Sequence, residues 1–285
     1  MNSSSPARTT WRRFTSHRLA LPGLLVFSVV TLACVMAPWL LQLDPNAIDL
    51  GAALQAPSTA HWLGTDQTGH DMLARTLVAG RISLLVGVCS VLLAIVVGAL
   101  LGGLAGYFGG WIDNLIMRCV DVVMTFPTII VLMTLAAVIG SGTGKTIVII
   151  GLLSWPLVGR LVRARILTLR EMEFVAAARL FGAGHWYLMR RHLLPNTGDV
   201  VLVFSSLGFV TAIMAEAGLS FLGLGVQMPD ASWGSLISIA RESAVLQQYP
   251  WIWLPSGCLI VLTALSVSFM GEGLRLAFDP KSDRK

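Results

Sequence analysis

Charge is what this chain has least of. Asp, Glu, Lys and Arg make up 12% of it and 55% is hydrophobic, where an average soluble domain is about 25% charged. That balance excludes an ordinary soluble globular protein. The net charge of +5 does not point to nucleic acid, because the basic residues stand between runs of Leu, Val and Ile rather than on polar surface. Cysteine is scarce as well. Cys34, Cys89, Cys119 and Cys258 each sit alone in an apolar run, with no CxxC or Cys/His spacing. They indicate neither a disulfide framework nor a zinc site and read as small buried apolar residues. His17, His61, His70, His185 and His192 are scattered. With no HExxH, no GxSxG and no nucleophile paired with a base in one span, neither a catalytic residue nor a metal ligand is expected.

One stretch comes close to a nucleotide motif. Gly140-Ser-Gly-Thr-Gly-Lys-Thr146 ends like a P-loop, but that motif needs a glycine where Ile139 stands, and a strand before it. A tight polar turn between two apolar segments is the better reading.

What the chain has in abundance is long uncharged runs. Residues 1–18 are a basic tail, and residues 19–43 form an apolar run longer than the roughly 7 to 15 residues of a cleaved signal peptide, so it is read as a retained transmembrane helix. Further candidates are Ser83 to Phe108, Val120 to Ile139, Thr146 to Gly159, Val200 to Leu224 and Trp251 to Met270. A bilayer core of about 30 Å takes about 20 helical residues. The fourth candidate is short, so its helix is expected to run on past Arg160, with a kink at Trp155-Pro156. The expectation is an all-α membrane protein of six transmembrane helices, with both termini on one side. Placing them inside gives the cytoplasmic segments sixteen of the twenty Lys and Arg residues and leaves Arg75, Arg81, Lys145 and Arg241 outside, which sets the N and C termini in the cytoplasm. The chain then divides into the tail 1–18, the first helix 19–43, an extracytoplasmic segment 44–81, a core domain 82–278 of five spans, and a tail 279–285. Trp62, Trp233, Trp251 and Trp253 suit the headgroup interface. Gly98, Gly102 and Gly106 form a small-residue stripe that lets another helix approach.

Three carboxylates fall in or near spans: Asp121, Glu216 and Glu272. At mid-membrane a carboxylate costs about 2.5 to 3.5 kcal/mol, so Glu216 is expected to face a cavity or a partner. Two roles are open to it, a pathway or ion-coupling group and a helix–helix hydrogen bond at a subunit interface. Asp121 and Glu272 can reach interfacial water.

Between the fourth and fifth spans, residues 160–196 carry seven of the twenty basic residues: Arg160, Arg163, Arg165, Arg170, Arg179, Arg190 and Arg191. Arg170 to Phe181 are helix formers, and Phe174, Ala177, Ala178 and Phe181 make a narrow apolar face. Gly182-Ala183-Gly184 ends that helix, His185 to His192 can form a second, and Leu194-Pro195 opens the next span. Such a face needs cover from the headgroup layer or from a groove on another protein, and the small flat surface of Ala176-Ala177-Ala178 favours the groove.

These residues carry a resemblance. Ala177-Ala178, Gly182 and Leu194-Pro195-Asn196 resemble the EAA loop of bacterial ABC importer permeases. Other stretches are similar to the second, C-type permease of the dipeptide/oligopeptide/nickel branch. They are His61-Trp-Leu-Gly-Thr-Asp66 with Gly69-His70-Asp71, Gly106-Tyr-Phe-Gly-Gly110, Met117-Arg118 with Asp121, Phe126-Pro127, Glu216 with Leu219-Ser-Phe-Leu-Gly-Leu-Gly225, Trp233-Gly234, Gly271-Glu272-Gly273-Leu274-Arg275 and Asp279-Pro280. The resemblance runs from Leu21 to Lys281. It implies a type I ABC importer permease fold in the bacterial cytoplasmic (inner) membrane. It also implies a heterodimer with a second homologous permease, two cytoplasmic ATPases and an extracytoplasmic substrate-binding protein. No cofactor is expected on this chain, since ATP and magnesium would sit on the ATPases. The implied function is ATP-driven, alternating-access import of di- or oligopeptides, with nickel chelates or glutathione as alternative cargo. A rival of another class is a stand-alone ion-coupled carrier or channel using Glu216. Carried over by position, Glu173, Ala177, Ala178, Phe181, Gly182, His192 and Pro195 belong to the loop that couples to an ATPase. The sequence departs from the pattern at Ala176, where the family has Glu, and at His70, where Arg is usual.

Overall fold

The computed structural model describes residues 14–15, 17–227 and 230–278. The basic residues before Phe14, and those after Phe278, lie outside the described residues. Among the described residues, eleven α-helices of four residues or more order the chain: α1 (Ala20–Leu40), α2 (Met72–Phe108), α3 (Gly110–Thr125), α4 (Thr128–Ile139), α5 (Thr143–Leu169), α6 (Glu173–Leu180), α7 (His185–Leu188), α8 (Gly198–Phe221), α9 (Trp233–Ser238), α10 (Ser243–Gln248) and α11 (Pro250–Phe278). A π turn and a 3-10 turn carry α7 into α8, so His185–Phe221 is one helical run. Among the described residues the only bridge of β type is an isolated one, Thr65 with Asp71.

Five of these, α1, α2, α5, the α7–α8 run and α11, are long and apolar enough to cross a membrane. The expected third span, Val120 to Ile139, is not one helix. It breaks at Phe126-Pro127 into α3 and α4, which meet at 90°. Pro127 cannot donate to the preceding turn, and its ring forces Phe126 out of the α region to φ −87°, ψ 143°. Among the described residues the count is therefore five, or six if the bent pair is a single crossing. The helix expected from Ser83 starts at Met72, because the Asp71 carboxylate caps it by accepting from the backbone N–H groups of Leu73 at 2.8 Å and Ala74 at 3.0 Å. The helix entered at Thr146 does run on past Arg160, to Leu169.

The core is centred on α2, which packs along α5 and α8. The glycine stripe sets that approach: a Cβ on Gly102 would strike the backbone carbonyl of Gly159, and one on Gly106 would stand 2.9 Å from the carbonyl of Arg163. Small residues are what allow the two backbones so close. At the end of the bundle opposite the arginine-rich loop, α9 plugs into the gap between α2 and α8. Trp233 is fully buried there, not at an interface as expected. Its indole Nε1 donates to the carbonyl of Thr76 at 3.0 Å and its backbone N–H to Ser83 Oγ at 3.1 Å. Trp62 stays exposed and Trp251 is half-buried, its Nε1 donating to the carbonyl of Thr65 at 3.2 Å. The cysteines are free thiols, but Cys119 and Cys258 lie on exposed helix faces rather than in the interior.

Candidate functional site: a tethered loop and a capped polar node

The arginine-rich loop is built on the end of α5. After Leu169 the chain turns through Arg170, Glu171 and Met172 and starts α6 at Glu173, three residues later than expected. Glu173 is an exposed acid in the first turn of α6, where the helix dipole favours it. The side chains turned into the protein are Val175, fully buried, and Ala178, which packs on the core. Phe174, Ala177, Leu180 and Phe181 face outward, Phe181 with 92% of its surface exposed. The predicted apolar face therefore divides: Ala178 is covered by the chain itself, and the rest is open. Gly182 stops the helix at φ +83°, a conformation costly to a residue with a Cβ. α7 then presents Trp186 and Tyr187 outward. His192 is half-buried, with ring centroids 6.3 Å from Phe174 and 5.5 Å from Tyr187. Pro195 is exposed at the start of the turn that leads into α8.

This surface is tied to the transmembrane helices by contacts that spacing alone does not announce. Tyr107, buried near the end of α2, shares a hydrogen bond of 2.7 Å with His185 Nδ1 through its hydroxyl. Arg170 Nη1 donates to the carbonyl of Gly106 at 3.1 Å, and the Arg179 guanidinium lies 5.8 Å from the Tyr107 ring centre. The arginines also join helices: Arg160 pairs with Asp121 at 2.8 Å, Arg163 with Asp113 through two nitrogens, and Arg165 with Asp199 at 3.0 Å. Asp121 is thus an exposed partner between α3 and α5. Much of the loop's charge is engaged in the fold, which a count of charges per loop does not disclose.

Glu216 lies at the other end of α8, fully buried within this chain. Its Oε1 accepts from Ser220 Oγ at 2.6 Å and its Oε2 from Ser83 Oγ at 3.1 Å. Ser220 Oγ in turn accepts from the backbone N–H of Val226 at 3.0 Å, and Ser83 Oγ from that of Trp233. The carboxylate ties α2, α8 and the α9 plug into one polar node, with both oxygens in use. It is not on a subunit surface, and it does not line the large cavity nearby.

That cavity, about 910 Å³, is bounded by the 66–75 segment, the end of α8 and the turn after α9. On its floor Asp66, His70 and Arg75 form a buried cluster: Asp66 Oδ2 is 2.9 Å from His70 Nδ1 and 2.5 Å from Arg75 Nη1. Burial alone pushes the Asp66 carboxyl up, but hydrogen bonds from the Thr68 hydroxyl and from the backbone N–H groups of His70 and Thr68 outweigh it and hold it below the ordinary carboxylate value. His70, standing where Arg is usual, has its imidazole against the carboxylate, with Arg75 reaching the same oxygen. The sequence placed no role here. Its signals there were the family-like stretches around Asp66 and His70, the departure at His70 and the close spacing of Asp66, His70 and Arg75.

An apolar bundle of helices long enough to cross a membrane, with a basic, outward-facing helical loop tethered to its longest helix, is the architecture of a multi-pass membrane protein. The chain belongs to the family of binding-protein-dependent transport system inner membrane components, whose model matches residues 94–284. The N-terminal transmembrane domain of oligopeptide transport permease C matches residues 5–57. A peptide permease protein of Brucella suis, so named by inference, is 48% identical over 281 residues, covering 99% of this chain and 93% of that one. The glutathione transport system permease protein of Pectobacterium atrosepticum is 39% identical over 279 residues, 97% of this chain and 92% of the relative. The dipeptide transport system permease protein of Alkalihalophilus pseudofirmus is 38% identical over 277 residues, 97% and 90%. The chain is a C-type ABC permease, a multi-pass protein of the bacterial inner membrane.

Proposed function

We propose that this chain is one of two related permease subunits of an ATP-driven importer that carries di- or oligopeptides, or a related small solute such as glutathione or a nickel chelate, into the cytoplasm. Relatives named for dipeptide and glutathione transport support the dipeptide and glutathione parts of that range. Residues 160–196 face the cytoplasm, as do both termini, and six crossings count the bent α3–α4 pair as one. The exposed side chains of α6 and α7 dock in a groove on an ATPase, and Glu173, Ala177, Ala178, Phe181, Gly182, His192 and Pro195 form or shape the docking element. ATP and magnesium act on the two partner ATPases, and this chain catalyses nothing itself. Closure of the ATPases moves the loop, and the helices tilt against the sister permease to expose the pathway to each side in turn.

The observation that carries this reading is the tether of an exposed aromatic loop to the end of α2 through Tyr107, His185 and Arg170. Purification in mild detergent tests it. A complex of this chain, a sister permease and two ATPases is expected, with an extracytoplasmic binding protein needed for uptake. A lone homo-oligomer that moves solute without ATPases would favour the stand-alone carrier instead. Gly182→Leu sharpens the test. Open space surrounds Gly182, but the left-handed φ opposes any side chain at a cost of about 1–2 kcal/mol. The variant should insert normally and lose solute uptake relative to ATP hydrolysis, and normal uptake would count against the loop's role.

A further inference from the structure

Arg81 is a cation within a membrane-spanning helix, half-buried on α2 where α1 packs against it. Pro38 has no N–H to give the carbonyl of Cys34, one turn back in α1. Arg81 Nε supplies the missing donor at 2.9 Å, and its Nη2 donates to the carbonyl of Val35 at 2.7 Å. These carbonyls fix the guanidinium without cancelling its charge. Among the described residues no carboxylate pairs with it, and Nη1 has no acceptor.

That charge sits below the membrane surface. The 21 residues of α1 are about 31 Å long, the thickness of the hydrocarbon layer, and Trp39, 80% exposed near its end, suits the headgroup level. The two carbonyls lie about 8 Å inside that end, so the neighbour of the guanidinium there is lipid rather than bulk water. A cation at such a depth is costly until a counter-charge reaches it. Leu85, Val88, Leu92 and Val96 follow Arg81 at i+4, i+7, i+11 and i+15, all exposed and on one face of α2. They make an apolar stripe about 22 Å long below the cation. The head of this surface needs an anion and the rest needs hydrocarbon, and a phospholipid supplies both in one molecule. We infer that Arg81 and the stripe form a phospholipid site, in which the lipid phosphate accepts from Nη1 and an acyl chain lies along Leu85 to Val96. A guanidinium already anchored through two nitrogens is well prepared to bind a phosphate with the third. The site is independent of what the protein transports.

The test is native mass spectrometry of the full chain, with the subunits that purify with it, in mild detergent. Three probes are titrated: dioleoyl phosphatidylglycerol, dioleoyl glycerol, which has the same chains without phosphate, and glycerol phosphate, which has no chains. Phosphatidylglycerol should bind at least about tenfold more tightly than the diacylglycerol, the factor for one charge-assisted hydrogen-bonded contact, and glycerol phosphate should not bind measurably. Arg81→Gln should erase the preference between the two lipids. Arg81→Lys should keep most of it, although lysine cannot cap both carbonyls, and Val88→Asn should weaken both lipids alike. Equal binding of the two lipids, or a preference that survives Arg81→Gln, would leave annular lipid only and overturn the site. Glycerol phosphate binding as tightly as the lipid would make it a free-anion site instead, and loss of another subunit from Arg81→Gln would place the counter-charge on a protein. A preference lost in Arg81→Lys would reduce Arg81 to a carbonyl cap. If Arg81→Gln fails to fold, the comparison of lipids on the native chain and on Arg81→Lys still decides.

Discussion

Cutting the tether between α2 and the loop should separate ATP hydrolysis from transport. The perturbation is Tyr107→Phe combined with Arg170→Gln, which removes the 2.7 Å bond to His185 and the 3.1 Å bond to the Gly106 carbonyl. A neutral hydrogen bond contributes about 0.5–1.5 kcal/mol and one from a charged donor about 1.5–3 kcal/mol. Arg170 is partly exposed, so water replaces part of its contribution and the lower half of that range applies. The pair is then worth about 2–4 kcal/mol. At about 1.4 kcal/mol per tenfold, the untethered fraction rises by about 30- to 700-fold. Neither change touches Phe181, Leu180 or Trp186, so the docking surface stays intact and the ATPases should still co-purify. The assay is solute taken up per ATP hydrolysed in proteoliposomes. The ratio should fall at least about tenfold in the double variant, and less in Tyr107→Phe alone. An unchanged ratio would refute the tether as the connection, and loss of the ATPases would make it an assembly contact instead.

Gly102→Ala should lower the melting midpoint of the detergent-solubilised complex through overpacking worth about 1–3 kcal/mol, because its Cβ meets the Gly159 carbonyl. Gly144→Ala, which meets nothing, should leave the midpoint unchanged, and equal effects would show that the α2–α5 approach is not tight. Glu216→Leu removes the acceptor for two buried hydroxyls, Ser83 and Ser220. It should cost about 1–3 kcal/mol for each one left unpaired, whereas Glu216→Gln, which keeps an acceptor, should cost less; a leucine variant as stable as the native chain would contradict the node. Asp66 has its carboxyl held low, so its ionised form stabilises the fold above the unfolded value of about 3.9, and that contribution disappears as pH falls through the lower folded value. The melting difference between the native chain and Asp66→Asn should therefore shrink below about pH 4. A difference that stays constant down to pH 3 would contradict the assignment.

The long helices were legible because apolar length alone identifies them, and the glycine stripe because its period places it on one face. The dipeptide Phe126-Pro127 does not by itself disclose the break, since a proline inside an apolar run fits a kink as well as a right-angled turn. Which way depends on packing partners that sequence does not list in order. Trp233 misled for a related reason. Tryptophan suits a headgroup layer and a core equally, and the decision rested on Gly80, whose missing Cβ leaves room for the indole ring. In the loop, the apolar residues were recognised but not their sides. Val175 turns inward and Phe181 outward, because the helix starts at Glu173 and the chain has already bent at Met172. Tyr107 and His185, and likewise Ser83 and Glu216, are far apart in sequence, and only the fold brings them into hydrogen-bonding range.

α2 is one unbroken helix of 37 residues, about 55 Å at 1.5 Å per residue, far longer than the roughly 30 Å hydrocarbon layer. Among its glycines, the one set tightest against another backbone is Gly102, near one end. Measured along the axis, Tyr107 is about 7 Å from that point and Arg75 about 40 Å. A rigid turn about Gly102 is therefore geared, with each ångström at the tether becoming about five or six beside the polar cavity. An off-centre fulcrum converts a short, forceful stroke into a long, gentle one.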